Sequence, residues 1–117
     1  YPLASVASIY AIKVMIDDNL AECARTRGAQ LMNHFDDIKA EFPDKIKENR
    51  GRGLLTAFEM YDSPHLDGHT VSVELLNKGV YAKETHHSTV RVAPALTIQA
   101  WQIDNIAEAI RDVVKSL

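Results

Sequence analysis

Thr89-Val90-Arg91-Val92-Ala93-Pro94-Ala95-Leu96 reads as a short β-strand closed by a proline, with one cation among apolar and β-branched residues. Side chains alternate across a strand, so Val90 and Val92 point to one face while Arg91 and Ala93 point to the other. The strand therefore delivers the Arg91 guanidinium to a fixed place. A planar fork of donors grips a carboxylate or phosphate through two parallel hydrogen bonds, which makes Arg91 the first candidate binding residue. The same pattern also describes an arginine on an edge strand, held in water or in a structural ion pair.

Working outward, Leu54-Leu55-Thr56-Ala57-Phe58-Glu59-Met60-Tyr61 reads as the main strand, bounded by Gly53 and by Asp62-Ser63-Pro64. Residues 46–52 read as a polar edge strand. Residues 80–83 and 89–93 read as two further strands, separated by the loop Glu84-Thr85-His86-His87-Ser88. Arg50-Gly51-Arg52-Gly53 reads as a bulge or crossover feeding the main strand. It also has the alternating Arg and Gly of an anion cradle, but no helix start follows and the Lys-Ser/Thr of a P-loop is missing.

Helical spacing occupies the rest. Leu3, Val6, Ala7, Tyr10, Ala11, Val14 and Met15 form one apolar stripe, and Ile9, Ile12 and Ile16 form a second on the opposite side. Asp17-Asp18-Asn19 supplies capping residues before a second helix carrying Leu20, Ala24, Leu31, Phe35, Ile38 and Phe42. A short helix spans 69–78, stopped at Lys78-Gly79, and a last one carries Ile103, Ile106, Ala107, Ile110, Val113, Val114 and Leu117. Helix, helix, strand, strand, helix, strand, strand, helix is segregated rather than alternating. The expected fold class is α+β, a single domain over residues 1–117 with a small antiparallel-rich sheet and helices on one face.

Composition narrows the function classes. The chain has 117 residues, 46% hydrophobic and 25% charged, enough for one core. Net charge is −3 and no segment is basic, which argues against nucleic acid or an anionic membrane as partner. The single cysteine, Cys23, rules out an internal disulfide and suits a reducing compartment. No apolar run reaches the 18 or so residues of a membrane span. The opening Tyr1-Pro2-Leu3 already lies inside a helical pattern, so the chain reads as a piece of something longer.

Other candidate chemistry is sparse. His65-Leu66-Asp67-Gly68-His69 has metal-capable side chains, yet Asp67-Gly68 is equally turn chemistry before a helix. His86-His87 is a poor chelate, since adjacent side chains diverge; one of them lining a site competes with a solvated loop. Cys23 reads as a small core residue, and Asp17-Asp18, Asp36-Asp37 and Glu41 as caps and solvated helix faces. There is no Ser-His-Asp set, no Cys-x-x-Cys and no nucleotide fingerprint.

Three blocks, in order and at this spacing, carry a resemblance: Pro2-Leu3-Ala4 opening a helix that ends Asp18-Asn19-Leu20; Arg50-Gly51-Arg52-Gly53-Leu54-Leu55; and Gly79-Val80-Tyr81-Ala82-Lys83-Glu84-Thr85-His86 leading into Val90-Arg91-Val92-Ala93-Pro94-Ala95-Leu96. Across nearly its whole length the chain resembles the C-terminal small domain of class III, pyridoxal-phosphate-dependent aminotransferases, nearest to the ornithine-using branch. Tyr1 and Ala95 depart from the residues common there.

The resemblance implies the small domain of a fold-type-I aminotransferase whose large domain, with the Schiff-base lysine and the pyridoxal 5'-phosphate seat, lies outside these residues. It implies a homodimeric parent that moves the δ-amino group of L-ornithine to 2-oxoglutarate, giving glutamate 5-semialdehyde and L-glutamate, in the cytoplasm or the mitochondrial matrix. It further implies that Arg91 grips the substrate carboxylate, that Lys83, Thr85 and His86 line the site, and that the chain alone is inactive. Ile9, Ile12 and Ile16 would then pack on the large domain or the second subunit. Two alternatives stand beside this one. The parent is a sister enzyme acting on N-acetylornithine or 4-aminobutyrate, or the chain is a non-catalytic module that binds a carboxylate or a partner protein.

Overall fold

Gly53 turns the chain back on itself and so begins the sheet. The computed structural model describes residues 1–117, in which β1 (Ile46–Arg52) and β2 (Leu55–Met60) are joined by the two-residue loop Gly53-Leu54. Gly53 sits at φ +58, the left-handed value that the first loop position of a type II′ hairpin turn requires. β3 (Lys83–Thr85) and β4 (Thr89–Val92) form a second hairpin, and β4 also pairs with β2. The order is β1-β2-β4-β3, and every pairing is antiparallel. The expected bulge exists, but between Ile46 and Glu48 rather than at the glycines, which serve the turn instead.

Four helices complete the chain: α1 (Pro2–Asp17), α2 (Leu20–Glu41), α3 (Gly68–Asn77) and α4 (Ala100–Ser116). The last three cover one face of the sheet, as the segregated order of elements predicts. Phe58 and Met60 of β2 and Val90 and Val92 of β4 meet Leu31, Phe35 and Ile38 of α2, Val71 and Leu75 of α3, and Ile103, Ile110 and Val114 of α4. Phe35 and Phe58 meet edge to face, with ring centroids 5.6 Å apart. Each such side chain stabilises the fold by about 1.5–3 kcal/mol on burial.

One contact fixes how α2 lies on the sheet. A Cβ built on Gly28 would fall 2.1 Å from the carbonyl oxygen of Gly53, so helix backbone and hairpin turn touch directly. Only glycine fits at that crossing.

The third strand departs from expectation. Residues 80–82 are not strand, and β3 keeps only Lys83 of the expected strand while taking Glu84 and Thr85 out of the anticipated loop. Gly79, at φ +85, ends α3 in a Schellman motif: its N–H donates to Leu76 O at 3.0 Å, and Val80 N–H donates to Leu75 O at 2.9 Å. Those bonds commit Val80 to the helix end. The hairpin then closes tightly through His86 and His87, both left-handed at φ +50 and +59.

α1 departs further. Helical spacing suggested an amphipathic helix, yet none of its residues is buried, and Leu3, at 77% exposed, is as open as Ile16, at 72%. Asn19 makes no capping side-chain bond; it takes φ 51 and bends the chain, so α1 leaves the domain instead of folding back on α2. Both apolar stripes thus await a cover that the other elements do not provide.

Two outcomes follow. Gly28→Ala forces α2 off the hairpin and lowers unfolding free energy by about 1–3 kcal/mol in denaturant melts; an unchanged midpoint contradicts the contact. The isolated chain self-associates at micromolar concentration, and Ile9→Lys with Ile16→Lys shifts it toward monomer in light scattering.

Candidate functional site

Register across the open face of the sheet sets the site. Ala57 on β2 is the partner of Arg50 on β1 and of Arg91 on β4, and Arg91 is in turn the partner of Lys83 on β3. Directly opposed residues share a face, so Arg50, Ala57, Arg91 and Lys83 form one row across four strands. Val90 and Val92 are buried and Arg91 is exposed, the alternation expected of this strand.

Arg91 is not on an edge strand, since β4 runs between β2 and β3. Nor is it in a structural ion pair within this chain: neither it nor Lys83 is among the bridged side chains. Like charges directly opposed in a sheet repel. Arg91 and Lys83 are therefore a pair of free cations on an uncovered face, with the short Ala57 leaving room beside the guanidinium. That arrangement suits an anion.

The other anticipated residues fall as follows. Thr85 shares the open face with Lys83 and pairs with Thr89 in the register; it is half-buried. His86 occupies the exposed tip of the hairpin, three residues beyond Lys83. The tip is anchored, because Gly68 N–H donates to His87 O at 2.7 Å and Met60 N–H to Ser88 O at 2.8 Å. His87 Nε2 lies 3.2 Å from Asp62, and His69 Nδ1 lies 3.1 Å from Glu84. Asp67 is the N-cap of α3, its Oδ1 accepting from Thr70 N–H at 2.7 Å, so the His65-to-His69 stretch is turn chemistry. No group of three metal-capable side chains assembles anywhere. Cys23 is half-buried and unbonded to another cysteine.

Glu59 escaped notice in the sequence. It lies on the open face two residues from Ala57, in the row containing Thr89, with its side chain 22% exposed. Lys47 Nζ approaches it at 3.4 Å, Arg50 at 3.5 Å, and the Thr89 hydroxyl donates to it at 3.4 Å. Partial burial pushes its carboxyl up, but Lys47 and Arg50 together pull it below 4.5. The available signal was parity: Glu59 alternates with Phe58 and Met60, which places a carboxylate in the same outward set as Arg91.

Glu41, read from sequence as solvated, instead forms a bidentate pair with Arg111, both contacts at 2.6 Å, which ties α2 to α4. His34 and Gln30 likewise hold Asp104 at 2.8 and 2.9 Å. The groove between these helices, about 360 Å³, takes none of its lining from the sheet, and its charged groups are largely engaged with each other.

The two left-handed or tightly packed glycines of Arg50-Gly51-Arg52-Gly53 build a hairpin with its backbone against α2 and Thr56, not an anion cradle. No helix of the structure is long and apolar enough to cross a membrane.

Residues 1–114 match the family model described as "Aminotransferase class-III". The mitochondrial ornithine aminotransferase of Arabidopsis thaliana is 35% identical over 117 residues, 97% of this chain and 24% of its own length. Ornithine aminotransferase 1 of Staphylococcus saprophyticus is 32% identical over 114 residues, 97% of this chain and 27% of its own. Among solved structures, acetylornithine aminotransferase from Elizabethkingia anophelis superposes with a TM-score of 0.91 at 28% identity, over 99% of this chain and 29% of that one. Plasmodium falciparum ornithine δ-aminotransferase superposes at 0.83 and 31% identity, over 99% and 29%. The chain thus spans about a quarter of the length of the curated relatives it matches.

Asp67 offers a pH test of how α3 is capped. The Thr70 N–H keeps its carboxyl below 3.8. A depressed value in the folded state means stability that is present above about pH 4 and is lost as pH falls through the folded value. Asp67→Asn should flatten the acid limb of a Tm-against-pH curve between pH 4 and 2; an unaltered limb contradicts the cap's contribution.

Proposed function

Because this chain belongs to the class III aminotransferases, we propose that it is the C-terminal small domain of a longer transaminase and supplies the arginine that anchors a substrate's carboxylate. One observation carries the reading. Arg91 is an unpaired, exposed guanidinium on an inner strand of a rigid sheet, inside the Arg-Val-Ala-Pro stretch that resembles the family's carboxylate-gripping segment. The fork meets the two oxygens of an amino-acid or oxo-acid carboxylate in one plane. Lys83 adds a second positive charge opposite it, and Thr85 and His86 line the same hairpin, which favours anions without forming the primary grip.

The reaction is the movement of the δ-amino group of L-ornithine to 2-oxoglutarate, yielding glutamate 5-semialdehyde and L-glutamate. The names of the Arabidopsis, Staphylococcus and Plasmodium relatives support that substrate. A second reading, N-acetylornithine as the amino donor, is favoured by the high superposition with the Elizabethkingia enzyme. Pyridoxal phosphate supplies the carbanion stabilisation of such a transfer. By the same resemblance its seat and its Schiff-base lysine belong to a large domain of the parent, and the chain alone does not transaminate.

The exposed apolar surface of α1 supports docking on that large domain or on the second subunit of a homodimer, and speaks against a self-sufficient binding module. The plant relatives' names support a mitochondrial setting, with the cytoplasm as the alternative.

In the full-length enzyme, Arg91→Lys keeps the charge and loses the fork. It should lower kcat/KM for 2-oxoglutarate by about 10- to 100-fold, the worth of one or two charge-assisted hydrogen bonds. Steady-state kinetics check this, and unchanged kinetics would remove Arg91 from the site.

A further inference from the structure

We infer that Ala57 is a specificity-determining residue of the carboxylate site: its methyl group sets the room at the Arg91 fork. The inference rests on the reading of Arg91 as the carboxylate anchor, and it holds whatever partner Arg91 has before substrate arrives.

Strand pairing singles Ala57 out. β2 and β4 are matched at four positions, Thr56 with Val92, Ala57 with Arg91, Phe58 with Val90 and Glu59 with Thr89. Only the pair that contains Arg91 includes an alanine. β2 is an inner strand, lying between β1 and β4, and strands favour β-branched and aromatic side chains while alanine is depleted there. Ala57 is half-buried and directly opposed to Arg50 on one side and Arg91 on the other. A valine or leucine at this place would gain cross-strand contact with the stems of both arginines. The sheet forgoes that contact, and a local rule broken without a gain in packing marks a position kept for function.

The neighbours show what the short side chain leaves open. Directly opposed residues have Cβ atoms about 4.5–5.5 Å apart, so whatever stands at position 57 stands against the Arg91 stem. On the far side, Arg50 contacts Glu48 at 3.3 Å and Glu59 at 3.5 Å, which commits it to carboxylates of β1 and β2. Two residues back along β2 on the same face, Leu55 is 62% exposed, and just past the end of β4 the short Ala93 is exposed. Arg91 therefore rises from a low floor of Ala57 and Ala93, with Leu55 as a raised rim. A carboxylate must lie in the plane of the guanidinium to take two parallel hydrogen bonds, and that approach needs the floor clear. A branched side chain at position 57 fills it.

The test uses the full-length holoenzyme with 2-oxoglutarate and glutarate as probes. Ala57→Val should raise KM for 2-oxoglutarate about threefold to fivefold and Ala57→Leu about tenfold or more, with the inhibition constant of glutarate rising in step. The thermal midpoint should hold or rise, since the larger residue suits the strand. In the Arg91→Lys background, whose fork is already lost, Ala57→Leu should raise KM by much less, so that the two changes are not additive. A merely structural role for Ala57, such as close packing against another part of the enzyme, predicts instead a lowered thermal midpoint and the same loss with either residue at position 91. That result, or an unchanged KM in Ala57→Leu, overturns the inference and leaves the Arg91 anchor intact. No effect of Arg91→Lys on KM overturns both.

Discussion

A pleated sheet covered on one side only is the constraint from which the rest of this structure follows. α2, α3 and α4 all lie against Phe58, Met60, Val90 and Val92, so the intervening residues of β2 and β4 have no core to enter. Backbone alternation then does two jobs with one strand. It buries Val90 and Val92 in the domain, and it projects Arg91 from a part of the molecule that cannot move without breaking that core. A guanidinium on a loop would have to be ordered on binding, whereas this one is placed in advance.

Two features keep the sheet in that posture. The contact of Gly28 on Gly53 sets α2 at backbone distance from the β1–β2 turn, and the Gly68 N–H holds the carbonyl at the β3–β4 tip. Both hairpins are therefore pinned at their ends by helix backbone. On the open face, charge is sorted by strand: cation–carboxylate pairs gather around β1, and unpaired cations remain on β3 and β4. Together with the bare apolar surface of α1, this describes a domain packed on one side of its sheet and open on the other.

Much of this was legible in the sequence because it depends on local patterns. Strand parity around Arg91, the polar edge strand over residues 46–52, the helix stop at Gly79 and the order of elements all follow from period and turn chemistry. What was not legible depends on tertiary partners. Val80 has strand propensity, but its N–H is claimed by the end of α3, which moves β3 two to three residues onward. Leu3 and Val6 have the spacing of a buried stripe, yet nothing in the chain reaches them. Glu59 looked like an ordinary charge within an apolar strand, because its importance lies in which residues face it from β1 and β4. Glu41 looked solvated because Arg111 is distant in sequence.

The most direct test is a crystal structure of the full-length enzyme with glutarate, a dicarboxylate that keeps the carboxylates of 2-oxoglutarate and lacks its reactive carbonyl. The account predicts one glutarate carboxylate on the Arg91 fork through two hydrogen bonds of about 2.8 Å, with Glu59 still turned toward Lys47 and Arg50. Glutarate bound elsewhere, with Arg91 engaged by an acidic side chain of the protein, would contradict it.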